Sequence, residues 1–249
     1  MNSLTMQSVN KTARYAGFLY LLLAICGGFA EFAVRQALIV PGDAAATAAN
    51  ITASAWTFRL GFVAELAGQV VFVLLVLALY RILQPVNRNQ ARLMVSLVIV
   101  AVTITCLNML NQFAALLILD GSDYLAVFTA AQVQAFALLF LDLHHAGYLI
   151  AQVFFGLWLL PLGYLIVKSG FLPRLVGWLL IVAGIGYVAD VLIFALFPSV
   201  DLVLSEFTFV GELVLLLWLL VKGVNGTQWQ ERVGATETSA APLGSSASA

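Results

Sequence analysis

The chain has 249 residues, of which 63% are hydrophobic and 9% charged, with a mean hydropathy of +1.04 and a net charge of −1. Soluble domains carry about a quarter charged residues, so a water-borne globule is excluded as the first reading and a membrane protein takes its place. No basic patch exists, which excludes nucleic acid as a partner. Cys26 and Cys106 both lie in apolar runs, where they serve packing rather than a disulfide framework or a metal.

A helix needs about 20 apolar residues to cross the hydrocarbon core. Six stretches meet that need: 14–35, 59–83, 92–119, 143–167, 174–197 and 204–222. The ten-residue alternation of a membrane barrel is absent. The expected fold is therefore all-α, a polytopic integral membrane protein with six transmembrane helices. Residues 1–12 form a cytoplasmic N-terminal segment, 13–222 the transmembrane domain and 223–249 a disordered cytoplasmic tail, ending in the low-complexity "TETSAAPLGSSASA". The first stretch imitates a cleaved signal peptide, but its apolar run continues through Phe32–Val34, longer than such a peptide requires.

In chain order, "PGDAAATAANITASAW" after the first span predicts a short alanine-rich helix capped by Asp43. "QPVNRNQ" breaks the second span from the third. "AAQVQAFALLF" would overextend the fourth span, so it predicts an interfacial or re-entrant helix ending near Asp142. Within the fourth span Pro161 predicts a kink. In "KSGFLPR" Gly170 stops that helix and Pro173 starts the next. Trp56, Trp178 and Trp229 fit interface belts.

Basic residues set the orientation. Lys11, Arg14, Arg81, Arg88, Arg92, Lys168, Arg174, Lys222 and Arg232 fall on one side, leaving two of the eleven, Arg35 and Arg59, on the other. Both termini are then cytoplasmic and the chain is a multi-pass protein of the cell inner membrane, with the lipid bilayer as its one certain partner.

The stretches "LIVPGDAAATAANI", "FRLG", "LYRILQPVNRN", "HHAGYLIAQVFFGLWLLPLGYLIVKSGFLPR" and "AGIGYVAD" together resemble a bacterial membrane protein family called domain of unknown function 4386. The resemblance runs from about Ala13 to Lys222. It implies a helical membrane protein of this size and no activity. It also implies that His144 matches a histidine of the family pattern, whereas His145 sits where that pattern differs.

At about 1.5 Å of rise per residue, depth is legible along each span. Glu31, Glu65, the group Asn108, Asn111 and Gln112, the group Asp142, His144 and His145, then Gln152, Asp190 and Glu212 all fall in the outer half. The inner halves hold almost nothing ionisable. Six acids in that half (Glu31, Glu65, Asp142, Asp190, Glu206 and Glu212) face two cations, Arg35 and Arg59. The surplus must be protonated, hydrated or met by a bound cation. The expectation is an outward-facing acidic pocket that binds or transports a small or cationic ligand, lined by these residues together with Arg35 and Arg59.

Each feature also has a plainer explanation. Asp142 could cap a helix with the histidines at headgroup level, and the arginines could anchor the interface. Spacing places His145 on a face with Asp142 and Gln152, and His144 on a face with Tyr148 and Ala151. Two rival functions stand beside the pocket. One is an intramembrane metal-dependent enzyme acting on lipid, with His144, Asp142, Glu65, Asp190 and Glu212 as the candidate metal ligands. The other is a non-catalytic partner or assembly subunit. No HExxH motif or paired CxxC is present, and the sequence names no catalytic residue, cofactor or oligomeric state.

Overall fold

A computed structural model describes residues 6–121, 123–197, 199–200 and 202–240, leaving aside the side chains of 124 and 236–240. Every regular element among them is a helix. α1 (Met6–Gly28) runs on through a π-helical stretch, Phe29–Arg35, into one further α-turn, α2 (Gln36–Leu38). Gly42, at φ +74°, turns the chain back on itself. Asp43 then caps α3 (Ala44–Ala53) by accepting from the Ala46 N–H at 2.9 Å, as expected from the sequence. α3 lies back against the end of the first helix, where Asn50 Nδ2 donates to the Leu38 carbonyl at 3.3 Å.

The long helices α4 (Ala55–Leu83) and α5 (Arg88–Leu119) follow, the latter capped by Asn87. α6 (Ala130–Leu157) begins at a capping box of Thr129 and Gln132. The expected break near Asp142 is not there. Asp142 sits within a continuous helix, because the chain has its start signal at Thr129 and no glycine or proline between them. The break comes at Trp158, ahead of α7 (Leu159–Ser169); Pro161 has no N–H to return to the Leu157 carbonyl, so the helix yields just before it. Gly170, at φ +79°, closes α7, and Pro173 leads into α8 (Arg174–Leu196).

After α8 come α9 (Ser205–Thr208), α10 (Val210–Val221) and α11 (Gly226–Ala240). Among the described residues, five helical runs are long and apolar enough to cross a membrane: Met6–Leu38, Ala55–Leu83, Arg88–Leu119, Ala130–Ser169 and Arg174–Leu196. A sixth is reached only by joining Ser205–Val221 to the first residues of α11 across a 101° bend. Ser205–Val221 alone rises about 26 Å, the short end of what a bilayer needs.

α11 corrects the expectation of a disordered tail beginning at 223. Trp229, expected at the interface, is instead buried at 4% exposure, and its Nε1–H donates to the Ile82 carbonyl at 2.8 Å. That carbonyl belongs to the last turn of α4, where no intrahelical donor remains. The indole thus caps α4 from another helix. Trp56 and Trp178 are exposed, as belt residues would be. The final stretch, 241–249, lies outside the described residues.

Two glycine pairs bring α6–α7 against α8. A Cβ on Gly184 would stand 2.6 Å from the Gly156 carbonyl oxygen, and one on Gly177 would stand 2.6 Å from that of Gly163. Such small residues let backbones pack closely in a membrane.

Buried apolar residues fall into two separate cores. The larger, with Leu75, Leu79, Met94, Leu159, Leu162 and Leu219, fills the end of the bundle where α1 begins and α11 docks. The smaller, with Val34, Phe58, Leu116 and Leu141, lies under α3. Between them, α4 carries Glu65 and Gln69, α5 carries Thr105, Asn108 and Gln112, and α6 carries His144 and Gln152, all buried. The bundle is two dry cores with a polar layer between.

Candidate functional site

The layer's first cluster is built by the π-helical stretch. Its wider turn sends the Gln36 N–H to the Glu31 carbonyl, and π segments recur at functional sites. Gly61 admits α4 to this segment: a Cβ there would meet Val34 Cγ2 at 2.6 Å. One turn on, Glu65 faces Arg35. The guanidinium donates through Nε to Glu31 Oε2 at 2.7 Å and through Nη1 to Glu65 Oε2 at 2.8 Å. Its Cζ also lies 5.8 Å from the centroid of the Tyr148 ring, within cation–π range. Glu65 is 5% exposed and Glu31 40% exposed, so the triad runs from the rim inward.

The second cluster joins α1, α8 and α10. Tyr20 Oη donates to Glu212 Oε2 at 2.5 Å, and Tyr187 Oη donates to Oε1 at 2.9 Å. Both oxygens are thus held by phenols, and among the described residues no cation pairs with this carboxylate. Nearby, Asp190 accepts from the Leu204 and Ser205 N–H groups at 2.6 and 2.9 Å, which pins the approach to α9. Gln152 Nε2 donates to the Tyr187 carbonyl at 3.3 Å. Tyr148, whose ring faces Arg35, also packs against Phe155 with ring centroids 5.9 Å apart.

On the α5–α6 seam, Asn108 Nδ2 donates to the His144 carbonyl at 2.7 Å, and Asn111 Nδ2 donates to Asn108 Oδ1 at 3.0 Å. Gly147 makes room for that side chain, since a Cβ there would stand 2.1 Å from Asn108 Oδ1.

Other expected members are placed elsewhere. Asp142 and His145 are exposed, on a different face of α6 from the buried His144. His145 packs edge-on against Phe194, with ring centroids 5.9 Å apart. Asp142 therefore does not orient His144, and of the two faces weighed from spacing it is the one with Tyr148 and Ala151 that turns inward. Arg59 pairs at the rim with Asp120, which the sequence reading passed over, rather than with the acids of the layer. Among the described residues no three of His, Cys, Asp and Glu come together to hold a metal, so His144, Asp142, Glu65, Asp190 and Glu212 do not form one ligand set. Two concavities, a groove of Ala48, Thr52, Phe128 and Val133 beside α3 and a recess by Lys11 and Arg14 at the opposite end, have none of these acids in their lining.

Sequence reasoning missed the tyrosines. Tyr20 and Tyr187 lie at the same depth as Glu212, and a phenol embedded in a span needs a hydrogen-bond partner. That was the available signal.

Comparison with known proteins adds a family. Residues 15–223 match the family model described as "Domain of unknown function (DUF4386)". An uncharacterized protein of Archaeoglobus fulgidus is 32% identical over 152 residues, covering 61% of this chain and 76% of its own length. No solved structure matches the chain.

Proposed function

The chain belongs to the family of domain of unknown function DUF4386, a membership that carries no activity with it, and we propose from its own residues that it takes up a small cation, a proton foremost, within the membrane. The proposed frame is six spans in a cell inner membrane, with the basic end and both termini cytoplasmic and the α3 end outside. The cation enters from the α3 end and is handed between the Arg35 cluster and Glu212, so the role is transport or sensing.

One observation carries this reading. Glu212 presents both oxygens to phenol hydroxyls within the bundle and, among the described residues, has no cationic partner. An uncompensated carboxylate in a low dielectric is neutralised by a proton or by a bound cation. Ionisable residues embedded in membranes are by default functional. Glu31 and Glu65, by contrast, share Arg35, and Asp190 is satisfied by backbone amides. Among the buried acids Glu65, Asp190 and Glu212, it is Glu212 that is met by neither a guanidinium nor backbone amides among the described residues. A metal-dependent lipid enzyme would need its ligands gathered, and the described residues do not gather them.

The test is flux in proteoliposomes holding a pH-sensitive dye, driven by a potassium diffusion potential. Protein-dependent acidification that falls to the empty-vesicle rate in Glu212→Gln is expected. Wild-type protein that neither moves nor binds protons, sodium or small amines overturns the reading, as does a Glu212→Gln variant that behaves as wild type.

A further inference from the structure

Among the described residues, three buried side-chain atoms in the polar layer have no hydrogen-bond partner, Gln69 Oε1 on α4, Gln112 Oε1 on α5 and His144 Nε2 on α6, and a fourth, Thr208 Oγ1, lies apart on α9. Gln69, Gln112 and His144 are 9%, 2% and 3% exposed. They lie on three long helices that pack in succession, α4 on α5 and α5 on α6. The bond from Asn108 to the His144 carbonyl fastens the polar face of α5 to α6, and Gln112 lies one turn along that same face. Phe62 and Phe113, their rings tilted at 42° with centroids 5.6 Å apart, pack α4 against α5. Gln69 lies one turn from Glu65 on the same face of α4. Gln112 is nearest the α3 end, His144 and Glu65 lie deeper, and Gln69 stands just before the dry core begins at Val71.

Buried polar atoms are paired with protein or with ordered water. Three left dry in one small bundle would offset much of its net stability. Asparagine, glutamine and histidine side chains supply the two to four partners that a buried water requires. We infer that the α4–α5–α6 seam holds a file of bound water, entered beside Gln112 at the α3 end and ending at Glu65 and Gln69, with His144 Nε2 as its relay atom. Imidazole suits that position because one ring nitrogen accepts while the other donates. The file is a water-binding site that brings solvent protons to the Arg35–Glu65 pair. It deepens the cation reading and rests on it only for what the water delivers.

Radiolytic hydroxyl labelling of the unaltered protein in nanodiscs, with mass spectrometry, reads the water directly. Methionine is intrinsically the more oxidisable side chain, so Met94, fully buried in the dry core, is the internal control. The expected result is oxidation at His144 with Met94 spared, and at least about a tenfold drop at His144 in Gln112→Leu, whose side chain cannot hold water. Oxidation at Met94 without His144, or none at either, overturns the file. Unchanged His144 labelling in Gln112→Leu overturns its entry route. Labelling is independent of ion flux, so its failure and a failure of transport are separate results.

Discussion

Replacing Arg35 should hurt the protein more than replacing Glu65, and the reason is geometric. At 2.8 Å, and an effective dielectric of about 20, the Arg35–Glu65 attraction is about 6 kcal/mol, set against a desolvation penalty of several kcal/mol per ion. Arg35→Met strands Glu65, 5% exposed, without a partner. Removing one member of a buried pair costs about 3–5 kcal/mol, and that range is expected here. Glu65→Met leaves Arg35 still held by Glu31 at 2.7 Å, near the rim, so a cost of about 1–2 kcal/mol is expected. The double variant strands only Glu31, which is 40% exposed and loses at most about 1 kcal/mol. It should therefore resemble Glu65→Met, with a coupling energy close to the full cost of Arg35→Met, about 3–5 kcal/mol. Reversible unfolding in mixed micelles, followed by circular dichroism, measures all four proteins. Additive single effects, or a Glu65→Met variant weaker than Arg35→Met, would refute the reasoning.

Gly184→Ala places a methyl 2.6 Å from the Gly156 carbonyl oxygen and should lower stability by about 1–3 kcal/mol in the same assay. Gly27→Ala, whose methyl meets nothing within 4 Å, should be neutral or slightly stabilising. Trp229→Phe keeps an aromatic, though smaller, ring and removes the donor to the Ile82 carbonyl, so a loss of about 1–3 kcal/mol is expected, with faster tryptic cleavage at Arg232 as α11 loosens. Asp190→Asn replaces a charged acceptor of two backbone amides by a neutral one. Amide exchange at Leu204 and Ser205 should speed up by about tenfold or more, and unchanged protection would mean the clamp is not held by charge.

Much of this frame was legible before any coordinates. Span positions follow from apolar runs, Asp43 and Gly170 announce a start and a stop, and helical rise places the polar residues at one depth. The actual pairings were hidden because they are tertiary. Nothing local says that Arg35 reaches across to Glu65 instead of staying with Glu31, or that Arg59 turns to Asp120. The π-helical stretch that aims Arg35 has no sequence mark. Asp142 misled because an acid before an apolar run looks like a cap, while the true cap, Thr129, stood behind thirteen more helical residues. α11 misled in the opposite way: its polar composition suggested disorder, and one tryptophan docks it. Family resemblance and spacing pointed to different histidines, and burial sides with His144.

Infrared titration of Glu212 bears most directly on the central claim, that this carboxyl gains a positive charge inside the bundle. Difference spectra between wild type and Glu212→Gln should contain the carbonyl stretch of a protonated acid, growing as the pH falls and shifting when Tyr20→Phe and Tyr187→Phe remove its two donors. Spectra in which Glu212 shows no such band at any pH would contradict the account.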